Sequence, residues 1–185
     1  MNGSLLLWTV LSILLFWGVG LYNRLMRMRA RGFSAFGSVE KHLREYADLA
    51  QGQMHRFQGG QDGLPFEAPG EVPAEWNSVL CALEALDAAL KAARATPLAL
   101  EPLAGLTQAM AAVRQVWASL QAVPADLAGP VLPHDVQIQW DVIAQRVETS
   151  RNGYNQIALK YNEALAQFPA RLVIGLMGFK PGGIL

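Results

Sequence analysis

The chain has 185 residues and carries 15 basic and 15 acidic side chains, so its formal net charge is zero. This balance does not suggest a nucleic-acid partner, and the length allows a membrane anchor plus one domain of roughly 150 residues. The single cysteine, Cys81, excludes an intramolecular disulfide framework and is typical of a reducing compartment.

The N-terminal segment is almost wholly apolar from Leu5 to Tyr22. At a rise of 1.5 Å per residue this run covers about 27 Å, close to the thickness of the hydrocarbon core of a bilayer. A cleaved signal peptide would need a basic leader and a small-residue cleavage site, but the leader has no basic residue and Asn23 and Arg24 follow the run. The sequence therefore predicts an uncleaved transmembrane anchor over residues 1–23.

Basic residues cluster directly after the anchor, whereas the first acidic residue of the chain is Glu40. The cluster consists of Arg24, Arg27, Arg29 and Arg31. By the positive-inside rule, this asymmetry predicts a cytoplasmic domain and an N-terminus outside. We interpret the arginines as topology determinants that contact anionic lipid headgroups.

Four series of apolar residues recur in steps of three and four, which predicts four helices that pack along one seam. The series are Phe36, Val39, Leu43, Tyr46, Ala50 and Phe57; Trp76, Val79, Leu83, Leu86, Leu90 and Ala93; Leu103, Leu106, Met110, Val113, Trp117 and Leu120; and Val136, Trp140, Ile143, Val147, Tyr154, Ile157, Tyr161, Ala164 and Phe168. No stretch alternates with a period of two, so no sheet is predicted. The predicted fold is all-α: a transmembrane helix followed by an antiparallel up-down-up-down four-helix bundle with long first and last helices.

Glycine- and proline-rich breaks separate these helices at about 59–73, 95–102 and 122–134. They leave a bundle domain over 24–168 and an apolar C-terminal tail over 169–185. An even number of helices returns this tail toward the bilayer, but its apolar run is too short to span one. Two interpretations stay open: the tail dips its apolar side into the headgroup region, or it packs back on the bundle.

The last helix carries two Tyr-Asn pairs seven residues apart, and each residue type therefore repeats on one helix face. Tyr154 and Tyr161 are predicted to be seam residues whose hydroxyls reach the edge of the bundle. Asn155 and Asn162 are predicted either to bond the backbone of a neighbouring helix or to form a partner surface.

Short motifs at both ends of the chain resemble the LemA family of bacterial proteins. They are Tyr22-Asn23-Arg24-Leu25, Arg151-Asn152-Gly153-Tyr154-Asn155, Tyr161-Asn162, Phe168-Pro169-Ala170 and Gly178-Phe179. The resemblance implies a single-pass inner-membrane protein with a helical-bundle domain, and it implies no particular reaction. It marks as candidate interaction residues Tyr22, Asn23, Tyr154, Asn155, Tyr161, Asn162, Phe168, Pro169, Gly178 and Phe179. The first long helix departs from the family pattern, because it keeps Asp48-Leu49 but lacks the proline that usually follows.

No catalytic or metal site is predicted. His42, His55 and His134 have no partner at metal-ligand spacing, and no phosphate loop or nucleophile motif occurs. Cys81 is expected to be a small, buried or half-buried side chain. We therefore expect a protein without a cofactor that is not an enzyme.

These observations favour a membrane-tethered helical scaffold or adaptor. Its expected partners are the lipid bilayer and an unidentified membrane or cytoplasmic protein, and not nucleic acid. Two alternatives stay open: an accessory subunit of an envelope protease or processing system, and a structural protein that self-assembles at the membrane as a homo-oligomer.

Overall fold

A computed structural model describes residues 2–59, 74–124, 132–167 and 178–185. It contains four helices in this part of the chain: α1 (Asn2–Gly59), α2 (Ala74–Ala95), α3 (Leu100–Gln121) and α4 (His134–Ala166). The described residues include no strand. The all-α fold with long first and last helices, predicted from the spacing of apolar residues, is confirmed.

Helix α1 joins the apolar N-terminal segment to the first helix of the bundle without a break. Its 58 residues extend over about 87 Å. The most apolar 18-residue window has a mean hydropathy of 2.0, and none of it is buried against the rest of the protein. Because one continuous helix carries both regions, the bundle is held directly on the end of a segment that is compatible with a single membrane span.

The core of the bundle forms along the predicted seams. All six predicted seam residues of α2 and all six of α3 are buried. In α1 the seam continues to Gln53, which is buried although it is polar, and the side chain of Phe57 lies outside the described residues. In α4 the buried residue is Ala158, whereas the predicted Ile157 is only half-buried, and Phe168 lies outside the described residues.

Contacts between side chains show that α1 and α4 run in opposite directions. The Arg56 guanidinium lies 2.9 Å from Asp135 at one end of α1, and Phe36 packs edge-on against Tyr154 nearer the apolar segment. Residue numbers therefore fall along α4 as they rise along α1. Helix α1 packs mainly against α4 and α2 mainly against α3, as a bundle of two antiparallel pairs would.

The turn between α2 and α3 occupies residues 96–99 and is shorter than the predicted break at 95–102. The Ala99 N–H donates to the Thr96 carbonyl at 2.9 Å, which closes the turn. Pro102 lies inside the first turn of α3, where the N–H that proline lacks would have no partner within the helix. Proline is therefore compatible with the helix at this position.

Aromatic side chains connect all four helices at the end of the bundle farther from the apolar segment. The ring of Trp140 stacks on Trp117 of α3 at 3.8 Å between centroids, and it lies 4.1 Å from the ring of Tyr46 of α1. Trp76 completes the cluster edge-on to Trp117 at 6.2 Å. Large aromatic rings fill the space between the two helix pairs here, which fixes their separation.

Candidate functional site

The second half of α4 presents Tyr154, Asn155, Tyr161 and Asn162 toward an extended stretch formed by residues 178–185, which we call the tail segment. Both tyrosines are buried, at 0% and 3% exposed. The tail segment forms neither a helix nor a sheet. Its backbone N–H and carbonyl groups therefore need hydrogen-bond partners from other parts of the protein. The four side chains of α4 supply them.

Each asparagine holds one tail residue by two hydrogen bonds. Asn162 Nδ2 donates to the Gly182 carbonyl at 2.8 Å, and the Gly182 N–H donates to Asn162 Oδ1 at 2.7 Å. Asn155 repeats the arrangement with Leu185, at 2.7 Å and 2.8 Å. The side-chain amide of asparagine has an NH2 group that donates hydrogen bonds and a carbonyl oxygen that accepts them. It therefore satisfies both the N–H and the carbonyl of one residue of the tail segment, as a neighbouring antiparallel strand would.

Each tyrosine adds a bond to a tail carbonyl. The Tyr161 hydroxyl donates to the Lys180 carbonyl at 3.1 Å. The Tyr154 hydroxyl lies 2.8 Å from the Pro97 carbonyl and 3.1 Å from that of Gly183, so its single proton is shared between two acceptors. Burial raises the pKa of Tyr154 to about 12 and also raises the pKa of Tyr161. Both hydroxyls therefore keep the proton that they donate at ordinary pH.

The repeat of the Tyr-Asn pair matches the repeat of an extended chain. Seven residues of helix rise about 10.5 Å, and three residues of extended chain cover about 10 Å. The tyrosines contact Lys180 and Gly183, and the asparagines contact Gly182 and Leu185. For the tyrosines and for the asparagines alike, a step of seven residues on α4 corresponds to a step of three residues on the tail segment. The seven-residue spacing on α4 thus matches the three-residue spacing of an extended chain that runs antiparallel to the helix.

The turn between α2 and α3 forms the opposite wall of this groove. The Gly183 N–H donates to the Leu98 carbonyl at 2.9 Å. A Cβ on Gly182 would lie 3.2 Å from Leu98 Cδ2, and one on Gly32 of α1 would lie 3.3 Å from the same atom. The Leu98 side chain therefore fills the space between α1 and the tail segment.

Gly183 is the tightest position of the tail segment. A Cβ there would lie 2.9 Å from Leu103 Cδ1, 3.2 Å from Leu100 Cα and 3.4 Å from the Ala99 carbonyl oxygen. Two of these atoms belong to the backbone, so a change of side-chain rotamer cannot move them away. We call the cleft between α4 and residues 97–103 the tail groove, and glycine is the residue that it accepts at this point.

Phe179 attaches the beginning of the tail segment near the apolar part of α1. Its buried ring packs with Leu25, Tyr161 and Leu165 in a second core cluster, and it lies 5.7 Å from the ring of Tyr22. The preceding Gly178 has φ +70°, which glycine adopts without strain. The tail segment thus runs along the bundle from the end of the apolar segment.

The structure groups the predicted site residues into two sets. The first set belongs to the tail groove or its base and consists of Tyr154, Asn155, Tyr161, Asn162, Gly178 and Phe179. The asparagines bond the backbone of the tail segment and not that of a neighbouring helix, and residues 178–185 pack back on the bundle. Phe168 and Pro169 lie outside the described residues. Sequence reasoning missed Gly182, Gly183 and Leu98 as partners, although the Pro-Gly-Gly run could have suggested a closely packed extended segment.

The second set, the arginine cluster and its neighbours, makes no hydrogen bond to the tail segment, and only the Tyr22 ring approaches it, at Phe179. Arg24, Arg27, Arg29 and Arg31 are exposed on α1, as are Tyr22 and Asn23. None of the four makes an ion pair with a described residue, and the Arg29 guanidinium lies 5.4 Å from the centroid of the Phe33 ring. Such positions leave the charges available to solvent or to a headgroup surface.

The described residues were predicted to hold no metal ion and to bury or half-bury Cys81. They contain no group of three His, Cys, Asp or Glu side chains that could hold a metal ion. Cys81 is exposed, so the expectation of a buried or half-buried thiol was wrong. It falls on the outer face of α2 because the seam passes through Val79 and Leu83 on either side. A cleft between α3 and α4 is lined by Arg114, Asp141, Glu148 and the buried Tyr46 of α1.

A long apolar helix that continues into a bundle, with a clamped segment after the last helix, defines a membrane-associated helical-bundle protein. The family model described as the LemA family matches residues 88–185, just over half of the chain. The protein belongs to the LemA family, as its motifs predicted. The match includes every residue of the tail groove but not the Tyr22-Asn23 motif. No curated protein and no solved structure matches the chain.

Proposed function

We propose that this protein is a membrane-tethered scaffold or adaptor of the bacterial inner membrane, with its N-terminus outside and its bundle in the cytoplasm. The bundle would present a surface to a protein partner close to the cytoplasmic leaflet. The observation that carries this proposal is the continuity of α1, which leaves the apolar segment and enters the bundle as one helix.

The apolar segment supports the tether because its side chains are exposed on every face. Leu5, Leu6 and Leu7 are 69%, 68% and 65% exposed, and consecutive residues of a helix point about 100° apart around its axis. A helix that is apolar all round needs a surrounding apolar medium. Lipid provides it, and the exposed arginines that follow would then lie at the cytoplasmic headgroups.

The proposal gives the bundle no catalytic role. Among the described residues, the buried side chains are apolar or aromatic apart from Gln53. The ion pairs of Lys91 with Asp87 and of Arg56 with Asp135 lie on the outside. Enzymes place polar groups with shifted pKa values together in a concave site. The groups with a raised pKa here are buried tyrosines. Tyr154 bonds backbone carbonyls, whereas Tyr46 packs beside Trp140 in the core and also lines the cleft between α3 and α4.

A candidate contact surface lies on the outer face of α4. Ile138 and Val142 are one helical turn apart and 51% and 46% exposed. Neighbouring exposed apolar side chains are a common feature of protein contact sites. They lie far along the bundle from the tail groove, so a partner could bind there while the tail segment stays in place.

Protease accessibility tests the topology. Full-length protein would be digested in intact spheroplasts and in inverted membrane vesicles, with a tag after residue 185 to follow the bundle. We expect cleavage of the bundle in inverted vesicles only. Cleavage in spheroplasts would place the bundle outside and overturn the cytoplasmic adaptor.

Photocrosslinking tests the partner. A photoreactive amino acid would replace Val142 in one strain and the exposed, polar Glu163 of the same helix in a control strain. We expect a crosslink to a different protein from position 142 and no crosslink to a different protein from position 163. A protease or processing enzyme at position 142 would favour the accessory-subunit alternative, and a second copy alone would favour self-assembly. Absence of any crosslink from position 142 would contradict this surface.

A further inference from the structure

We propose that the tail groove accepts the tail segment of a second copy of this chain, so that two copies hold each other by exchanging residues 178–185. The inference goes beyond the adaptor role and rests on the geometry of the groove. It assigns α4 a peptide-binding site and gives the protein a mode of self-association.

The groove recognises backbone and size, and these features do not depend on which chain supplies the segment. Every hydrogen bond that the two Tyr-Asn pairs make with the tail segment ends on one of its backbone carbonyl or N–H groups. The size limit falls on Gly182 and Gly183, where a Cβ would meet Leu98 and Leu103. An extended peptide with a glycine pair satisfies both conditions.

A second copy is the occupant that these conditions favour. Each copy carries one groove and one matching segment, so an exchanged pair makes the same bonds as two closed chains. Exchange therefore loses no contact within the groove, and its cost is the entropy of bringing two copies together. Anchoring of both copies in one membrane would reduce that cost, because tethered partners meet at a high effective concentration.

Exposed apolar side chains border the groove. Leu100, beside Gly183, is 67% exposed, and Ile184 of the tail segment is 55% exposed. Leu159 is 50% exposed and lies between Asn155 and Asn162 on the same face of α4. In a closed chain these side chains remain in water. Packing of these borders between two exchanged copies would remove them from water, and this would favour the exchanged form.

Complementary variants of the full-length protein test the exchange. One chain carries Gly183→Val, which prevents its tail segment from fitting a groove and leaves its own groove unchanged. The other carries Asn155→Ala and Asn162→Ala, which spoil its groove and leave its tail segment intact. The two chains carry different affinity tags, are co-expressed, and are purified together in mild detergent through one tag.

We expect the two different variants to copurify, because the intact tail segment of one fits the intact groove of the other. Two differently tagged copies of the same variant should not copurify, since neither pair contains both an intact groove and an intact tail segment. Equal recovery in all three pairings would overturn the exchange, as would recovery in none. Thermal melting of each variant verifies that the bundle is folded, and Gly183→Ala replaces the valine variant if the latter is unfolded.

A synthetic peptide tests the groove itself. A fluorescent peptide of residues 178–185, amidated at its C-terminus, is titrated into the full-length Gly183→Val protein. We expect binding that is weakened at least about tenfold when Asn155 and Asn162 are also replaced, and no binding of a peptide whose Gly183 equivalent is valine. Binding that ignores either change would refute a groove selective for backbone and glycine. Neither result depends on the topology or the crosslinked partner of the proposed adaptor, so the two proposals can fail separately.

Discussion

The side-chain amide of Asn162 and the backbone of Gly182 exchange two hydrogen bonds, at 2.8 Å and 2.7 Å. Asparagine suits this task because its short side chain carries a donor and an acceptor side by side. Aspartate has the acceptor but no donor when it is ionised. The same relationship between Asn155 and Leu185 shows that the contact is a repeated unit of α4.

Asn162→Asp is therefore expected to release the tail segment. The carboxylate can still accept from the Gly182 N–H, but it faces the Gly182 carbonyl with a second oxygen and leaves that carbonyl without a donor. Loss of such a bond costs about 1–3 kcal/mol. Hydrogen exchange would measure it as faster exchange of the Gly182 and Gly183 amides. Asn152→Asp, at an exposed position of the same helix, is the matched control and should leave those amides unchanged; equal effects of the two substitutions would contradict the role of Asn162.

Gly183→Ala should also displace the tail segment, for a steric reason. The new Cβ would lie 2.9 Å from Leu103 Cδ1 and 3.2 Å from the Cα of Leu100, and the backbone of α3 cannot move away without unwinding its first turn. Overpacking of this kind typically costs about 1–3 kcal/mol. The measurement is the rate of limited proteolysis within residues 178–185, which should rise above that of the wild type.

The control for this substitution is Gly153→Ala. Gly153 is a helical residue of α4 next to Tyr154, and a Cβ added there would meet nothing within 4 Å. Alanine there should raise the free energy of unfolding by about 0.5–1 kcal/mol, because glycine is unfavourable inside a helix. Proteolysis of the tail segment should stay at the wild-type rate. If the tail segment of the Gly183→Ala protein proved as resistant as that of Gly153→Ala, the groove would be shown to tolerate a side chain.

The helices and their seams could be predicted because they depend on a local pattern. Apolar residues at steps of three and four indicated Trp76, Leu103 and Trp140 as core residues, and all are buried. The prediction was less accurate after Tyr154, where the next buried residue is Ala158 and not the predicted Ile157. The small alanine lies toward the neighbouring helix, and Ile157 is only half-buried.

The tail groove could not be predicted in the same way. The motif pointed to Tyr154, Asn155, Tyr161 and Asn162, but the groups that they bond are backbone atoms 19 to 57 residues away. Backbone atoms are the same at every position, so the sequence does not identify which ones a side chain will meet. Only the fold decides this, by placing the turn after α2 and the tail segment on either side of Tyr154.

Alkaline pH should weaken the fold through Tyr154. Burial raises the pKa of its hydroxyl from the ordinary value of 10.0 to about 12, so the unfolded chain loses this proton at a lower pH than the folded chain does. Between those values the folded state binds more protons, and the free energy of unfolding falls as the pH rises. The stabilisation is complete below about pH 10 and is lost toward pH 12.

Tyr154→Phe tests this assignment by chemical denaturation at a series of pH values. At neutral pH the variant should be less stable by about 1–3 kcal/mol, because the Pro97 and Gly183 carbonyls lose the hydroxyl donor that they share. Above pH 10 its stability should fall less steeply than that of the wild type. Some slope should remain, since burial also raises the pKa of Tyr46 to about 12. Parallel curves for the two proteins over the whole range would show that Tyr154 does not titrate as proposed.

A pair of arginines in the apolar segment should detach the protein from the membrane if α1 is its anchor. Leu11→Arg with Leu14→Arg places two charges near the middle of the run from Leu5 to Tyr22, where each arginine opposes insertion by about 2.5–3.5 kcal/mol. Cell fractionation followed by alkaline carbonate extraction should recover the variant in the soluble fraction and the wild type in the pellet. Ser34→Arg is the matched control, because Ser34 is exposed on the same helix beyond the arginine cluster and a charge there remains in water. A double variant that stays in the carbonate-resistant pellet with the control would mean that something other than the apolar segment of α1 holds the protein at the membrane.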